Sequence, residues 1–249
     1  MIVYPNAKIN IGLNVLEKQA DGYHKISSVF YPVNELFDML EIFPSEDFFF
    51  SSSGIEIPGN SNLCIKAFEL LCSDFEIGNV TMHLHKQIPI GAGLGGGSAD
   101  GAFALKALNE LFKLKLSNIE LEDYALQLGA DCPFFIENSP KYITGIGEKM
   151  MNINLDLSAY KLKFIFPELH ISTSEAYKGV IPKMSESDLL NLINQPIENW
   201  KALVKNDFEI AAFAKYPQLK KIKEKLYADG AIYSSMTGSG SMIYGVFVC

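Results

Sequence analysis

The run Pro89-Ile90-Gly91-Ala92-Gly93-Leu94-Gly95-Gly96-Gly97-Ser98-Ala99-Asp100 carries five glycines within twelve residues. Glycine is costly to order, so this density needs a reason: unusual backbone angles, or an object that must approach the main chain closely. Before the run, Val80-Thr81-Met82-His83-Leu84-His85 alternates as a strand does. After it, Gly101 to Phe112 carries apolar residues at helical spacing. A strand, a glycine loop and a helix start turn backbone N–H groups and the positive end of a helix dipole toward one point. That arrangement is a phosphate cradle. Two familiar versions of it do not fit. Gly91-x-Gly93-x-x-Gly96 has dinucleotide-fingerprint spacing, but the N-terminal third reads as strand after strand rather than alternating strands and helices. A Walker A loop would end in Gly-Lys-Ser/Thr, and this loop ends in Gly-Ser-Ala. The Val-Ala-x-Lys, His-Arg-Asp and Asp-Phe-Gly motifs of protein kinases are absent as well.

The phosphate reading is sharpened by what the chain lacks. Its 249 residues contain no arginine, and the formal net charge is −8. Phosphate must therefore be met by lysine, backbone N–H groups, histidine, hydroxyls or a metal, without a bidentate guanidinium clamp. The negative balance argues against nucleic acid as a partner. No stretch approaches a membrane span and no basic region followed by an apolar run opens the chain, so a cytoplasmic protein with no membrane partner is expected. Cys64, Cys72, Cys132 and Cys249 show no Cys-x-x-Cys spacing and read as mostly buried or partly buried thiols in a reducing compartment.

Strands are expected over Ile9 to Leu16, Ser28 to Val33, Met39 to Phe43 and Phe48 to Ser52, with a turn at Ala20 to His24. Asn62 is placed to cap a helix running to about Cys72. Ser117 and Glu120 have capping-box spacing for a helix ending at Leu128, with Gly129 as a C-terminal cap and Pro133 blocking renewed helix. Tyr142 to Ile153 reads as extended chain, Leu162 to Phe166 as a short strand, and Ser172 to Asp229 as mostly helical. A hairpin over Ala231 to Met236 and Met242 to Val248 turns at Thr237-Gly238-Ser239-Gly240. The compositional shift suggests domains at 1–155 and 156–249.

Several residues could carry chemistry. Lys8 and Asn10 share one face of a strand, a pattern that on its own describes a solvated face. Asp131 follows a glycine-capped helix and precedes Pro133-Phe134-Phe135, the context of a carboxylate at the rim of a core or of an ordinary turn. The sequence alone does not say that Lys8 and Asp131 meet. Tyr23 and His24, on a turn after Asp21-Gly22, could stack on a base. Ser98 could contact a phosphate or its magnesium, or simply cap the helix. Asp100 is expected to complement the helix dipole. His83 and His85 share a strand face without a third metal ligand in view, so a structural role is expected.

Taken together, Asn6-Ala7-Lys8-Ile9-Asn10, Asp21-Gly22-Tyr23-His24, Pro89 to Asp100, Leu128 to Phe135 and Thr237 to Gly240 resemble the GHMP small-molecule kinases, in the family's order and across nearly the whole chain. Within that family, the Asp-Gly-Tyr-His turn and the Gly-Ala-Asp-x-Pro-Phe run resemble the branch that acts on a cytidine-diphosphate-linked methylerythritol in non-mevalonate isoprenoid synthesis. The resemblance implies an α+β fold with an N-terminal ribosomal-protein-S5-domain-2-like domain, a C-terminal ferredoxin-like domain and an active site in the cleft between them. It implies ATP and Mg²⁺ as cofactors and transfer of a phosphoryl group to the acceptor's 2-hydroxyl. Asp131 would accept the hydroxyl proton and Lys8 would polarise that hydroxyl. Asn10, Tyr23, His24, Thr173 and Tyr177 would bind the acceptor. Pro89, Gly91, Gly93, Leu94, Gly95, Gly96, Gly97, Ser98, Gly238 and Ser239 would bind ATP, with Ser98 also a ligand for magnesium. The alternatives are a sibling kinase for a sugar, homoserine or mevalonate, or a nucleotide-binding module without activity. Family members usually continue past the final hairpin with a helix and a closing strand, and this chain stops at Cys249. That departure puts the completeness of the second domain in question. Oligomeric state has no signal in the sequence.

Overall fold

The computed structural model describes residues 1–59, 62–184 and 188–249. The described residues form β1 (Ile2–Val3), β2 (Asn6–Lys18), β3 (His24–Phe37), β4 (Met39–Pro44), β5 (Phe49–Gly54), α1 (Leu63–Asp74), β6 (Val80–Lys86), α2 (Gly96–Leu111), α3 (Asn118–Leu128) and α4 (Phe134–Glu137). There follow β7 (Lys141–Thr144), β8 (Lys149–Asn152), β9 (Tyr160–Ile165), α5 (Thr173–Gly179), α6 (Leu189–Ile193), α7 (Ile197–Leu203), α8 (Phe208–Lys215), α9 (Pro217–Ala228), β10 (Tyr233–Met236) and β11 (Ile243–Val248). The architecture is α+β, as expected.

The chain divides into two compact units that are each discontinuous in sequence. The first comprises Met1–Lys8, Pro32–Ile90 and Gly95–Ser139; the second comprises Ile9–Tyr31, Gly91–Leu94 and Pro140–Cys249. The first unit holds a sheet of order β1-β4-β6-β5, in which β5 and β6 run parallel, joined through α1, and the other pairs are antiparallel. Its helices α1, α2, α3 and α4 pack on one another. On β6 the alternation read from sequence is real: Val80, Met82 and Leu84 are buried while Thr81, His83 and His85 are half-buried. The two histidines are taken up by serines of β5, His83 by Ser51 and Ser53 and His85 by Ser53, all at 2.8–2.9 Å.

In the second unit, β9 and β10 flank β11 in an antiparallel sheet, on which α9 packs. A further sheet has the order β2-β3-β7-β8, and the boundary between the units falls within β2 and β3. Trp200, Tyr233 and Tyr244 are among its fully buried side chains, with Trp200 and Tyr233 edge to face at 5.6 Å between centroids.

Four local expectations are revised. Helix α2 begins at Gly96 rather than at Ser98, so the last glycines of the loop are themselves part of its first turn. Gly129 does close the end of α3, its N–H reaching Ala125 O at 3.1 Å, but with extended backbone (φ 168°) rather than the left-handed cap that glycine usually provides. Pro133 does not prevent a helix; it is the N-cap of α4, where a missing N–H costs little because the first N–H groups of a helix have no partner within it. Of the free cysteines, Cys64 and Cys132 are buried, whereas Cys72 and Cys249 are exposed. The Ser117–Glu120 capping box forms as read, with both reciprocal bonds present.

Candidate active site

Lys8 is not on a solvated face. β2 is buried on both sides at this point, and the Lys8 side chain is only 4% exposed. Burying an ammonium without a partner is prohibitive, and the partner is Asp131: Nζ lies 3.6 Å from Oδ2, and the carboxylate is 36% exposed. Burial is the largest influence on Lys8 and lowers its pKa from the usual lysine range; the charge of Asp131 and its hydrogen bond work in the opposite sense without prevailing.

The glycine loop reaches this pair through Gly95. Its backbone is left-handed (φ 71°), and a Cβ there would lie 3.1 Å from Lys8 Cγ and 3.0 Å from Phe135 Cζ. Glycine is thus required twice, by the turn into α2 and by the lysine stem beneath it. Gly95 is also the N-cap of α2 and leaves the helix without a side-chain cap. Ser98, expected as a possible cap, sits inside the first turn, where its hydroxyl bonds the sulfur of Cys132, the neighbour of Asp131. Burial of that thiol pushes its pKa up to about 12, so it is a neutral packing group.

Two further groups in this unit were not singled out from the sequence. Asn6 and Asn138 exchange amide bonds at 3.3 and 2.7 Å, tying the start of β2, two residues before Lys8, to the end of α4. Asp38, Lys86 and Asp100 form a sealed cluster at the root of the loop. Lys86 Nζ contacts Asp38 Oδ2 and donates to Asp100 Oδ2 at 2.7 Å, while Asp38 Oδ1 accepts the N–H groups of Gln87 and Ile88 at 2.6 and 2.8 Å. Asp100 therefore does not serve the helix dipole. It lies past the first turn and faces inward, and its Oδ1 is buried without a hydrogen-bond partner. Burial is the main cause that raises its pKa to about 7, helped by the neighbouring Asp38 and opposed by Lys86.

In the second unit, Asn10 is buried and its amide donates to Ser28 Oγ at 2.8 Å. Thr237 Oγ1 accepts the Asn10 backbone N–H at 3.0 Å and donates to the Gly93 carbonyl at 3.1 Å, so the two glycine turns lie against each other. Gly238 packs on Gly93, a Cβ on the former coming within 3.3 Å of the latter's Cα. Asn206 steadies this turn by donating to the carbonyls of Met236 and Gly238 at 2.8 and 2.9 Å.

A separate cavity of about 490 Å³ in the same unit is lined by Lys18, Tyr23, His24, Thr173, Tyr177 and Lys178, among others. His24 and Tyr177, 153 residues apart in sequence, stack at 4.7 Å with 27° between ring planes. Phe208 braces Tyr177 edge-on at 4.9 Å. Tyr23 is 61% exposed at the rim, held by the Asp21 carboxylate on its N–H at 3.0 Å. Burial, then the charge of Lys18, lowers the His24 pKa, so the ring is neutral at pH 7 and carries one donor and one acceptor. Among the described residues no group of three or more His, Cys, Asp or Glu side chains could hold a metal, and no helix is long and apolar enough to cross a membrane.

The GHMP kinases N terminal domain matches residues 62–138 and the GHMP kinases C terminal matches residues 188–247. The chain belongs to the GHMP kinase family. A relative from Cytophaga hutchinsonii, 48% identical over 250 residues that cover 99% of this chain and 92% of the relative, is a 4-diphosphocytidyl-2-C-methyl-D-erythritol kinase. A crystal structure of 4-(cytidine 5'-diphospho)-2C-methyl-D-erythritol kinase superimposes with a TM-score of 0.85 at 31% identity, covering 99% of this chain and 90% of that one. A homoserine kinase from Cytophaga hutchinsonii shares the fold alone, with a TM-score of 0.69 at 16% identity over 98% of this chain and 85% of that one.

Proposed function

We propose that this chain transfers the γ-phosphoryl group of ATP to the 2-hydroxyl of 4-diphosphocytidyl-2-C-methyl-D-erythritol, giving ADP and the 2-phosphate, as a cytoplasmic enzyme of isoprenoid synthesis. The observation that carries the mechanism is the Lys8–Asp131 pair at 3.6 Å, with Gly95 of the phosphate loop against the lysine stem. Phosphoryl transfer asks the protein mainly for position and charge neutralisation. Asp131 accepts the hydroxyl proton as the oxygen–phosphorus bond forms and the bond to ADP breaks. Lys8, the buried cation beside it, polarises the hydroxyl and keeps the carboxylate available as a base.

Gly91, Gly93, Leu94, Gly95, Gly96, Gly97 and Ser98, with Gly238 and Ser239, hold the ATP phosphates through main-chain N–H groups, and Pro89, which has no N–H, shapes the entrance of the loop. Magnesium would come with the triphosphate, since this ion keeps most of its waters and binds through phosphates and few protein groups. The single hydroxyl of Ser98 fits that role, and no larger protein donor set is needed. When bound, the ion neutralises charge on the transferred group. Tyr23, His24 and Tyr177 receive the cytosine by stacking and edge hydrogen bonds. Thr173 and Asn10 position the acceptor, and Lys18 and Lys178 at the cavity wall face its diphosphate.

The test is ADP release with ATP, magnesium and the cytidine-diphosphate acceptor, beside Asp131→Asn. Turnover that requires the cytidylyl group and collapses in the variant is the expected result. Equal turnover with homoserine, mevalonate or a sugar would defeat the acceptor assignment.

A further inference from the structure

The two glycine turns of the second unit carry a third component that the sequence pattern did not flag. His170 is exposed, yet it is not on a free-swinging loop. Its predecessor Leu169 offers its carbonyl to the Ser241 hydroxyl. Its successor Ile171 is buried, with its Cδ1 3.3 Å from where a Cβ on Gly240 would lie. Both flanking residues are thus fastened to the Thr237–Ser241 turn, which is itself joined to Gly93 through Thr237.

Held this way, the imidazole lies directly on Gly91, the first glycine of the phosphate loop. A Cβ at Gly91 would stand 2.5 Å from His170 Cε1 and 2.6 Å from Nδ1. Gly91 has left-handed backbone (φ 70°), and the ring fills the space a side chain there would need. The ring is exposed at the point where the loop begins. In a chain without arginine, an imidazole stands beside lysine as a side chain that can offer an N–H, and on protonation a charge, to a phosphate. Glu175, the acid that interacts electrostatically with His170, is already taken up by Lys215 Nζ at 2.9 Å and Tyr216 Oη at 2.8 Å.

From this geometry we infer that His170 is a phosphate-binding residue at the mouth of the glycine loop, donating a ring N–H to a phosphate oxygen of bound ATP or of the acceptor's diphosphate. The inference rests on the kinase reading above, and the test separates the two. Inorganic tripolyphosphate binding is measured by calorimetry for the wild type, His170→Phe and His170→Gln. Phenylalanine keeps a ring on Gly91 without a donor; glutamine keeps a donor without the ring. Affinity is expected to fall about tenfold in His170→Phe, the size of one charge-assisted hydrogen bond, and to recover to within about threefold of wild type in His170→Gln. Equal affinity in all three proteins, or no tripolyphosphate binding by the wild type, overturns the inference.

Steady-state kinetics of the same proteins then assign the ligand. A raised KM for ATP alone places the contact on the nucleotide, and a raised KM for the acceptor alone places it on the diphosphate. KM values that both stay at wild type overturn a role in the reaction. If the wild type binds tripolyphosphate, His170→Phe binds it about tenfold more weakly, and neither acts on the cytidine-diphosphate acceptor, the phosphate contact stands and the acceptor assignment falls.

Discussion

The first unit contains two buried lysines with carboxylate partners, and they have opposite characters. Lys86 is sealed between Asp38 and Asp100, with every member nearly inaccessible to solvent. Lys8 is equally buried, but its carboxylate partner Asp131 stands 3.6 Å away and is open to solvent over about a third of its side chain (36%). Burial alone is the largest influence on both lysines and lowers both. At Lys86 two carboxylates outweigh it and the pKa is raised, whereas at Lys8 a single looser carboxylate does not and the pKa is lowered. The sealed cluster is closed to reactants, and its hydrogen bonds are spent on Gln87, Ile88 and α2, at the root of the phosphate loop. The loose pair leaves carboxylate surface open, as the proposed general base requires. The same two residue types give a structural anchor or a candidate catalytic pair according to how completely the carboxylate is satisfied.

The sharpest way to break that comparison is at Asp131. Asp131→Asn is expected to lower kcat by about 10² to 10⁴, the usual worth of a general base, with a smaller loss of stability than Lys86→Met because its carboxylate is partly exposed. A large loss of stability would make Asp131 an anchor like Asp38. The converse holds for Lys86→Met, which strands two buried carboxylates. Denaturant unfolding should report a loss of about 3 to 5 kcal/mol, as for other buried pairs deprived of one partner. Lys86→Met with full stability would mean the cluster anchors nothing.

Tyr177→Ala is expected to raise KM for the cytidylyl acceptor about tenfold, within the range for loss of one base–aromatic stack, with KM for ATP unchanged. An equal rise in both would detach the His24–Tyr177 stack from the acceptor. The smallest effect concerns pH. The folded-state pKa of Asp100 is raised from 3.8 to about 7, so between those values the folded chain holds a proton that the unfolded chain releases. The contribution of this group is full below about pH 4 and is lost as pH rises toward 7. Unfolding midpoints of Asp100→Asn at pH 5 and pH 7 should differ less than those of wild type. An unchanged difference would place the titration elsewhere.

What could be read in advance, and what could not, divides along physical lines. Strands over β2 to β6 were legible because period-two alternation survives in one dimension. The Ser117 capping box was legible because its partners lie three residues apart. The start of α2 was misread because Gly96 and Gly97 carry no apolar signal, and only packing makes those glycines helical. Asp100 was misread because its partner Lys86 and their shared neighbour Asp38 are 14 and 48 residues from one another in the chain, measured from Lys86. His170 gave no signal at all, since its neighbour Gly91 belongs to a different segment.

By itself the sequence determined the motifs, their order, the glycine loop, the absence of arginine and so the family. These are local or compositional properties, preserved without folding. Tertiary structure alone decided which charges meet. Lys8 finds Asp131 across more than a hundred residues, Asn10 finds Thr237 and His24 finds Tyr177. Such pairings depend on burial and on a chain path that gathers distant segments into one unit. Desolvation and distance then set what each group can do, and neither quantity is written in the order of residues.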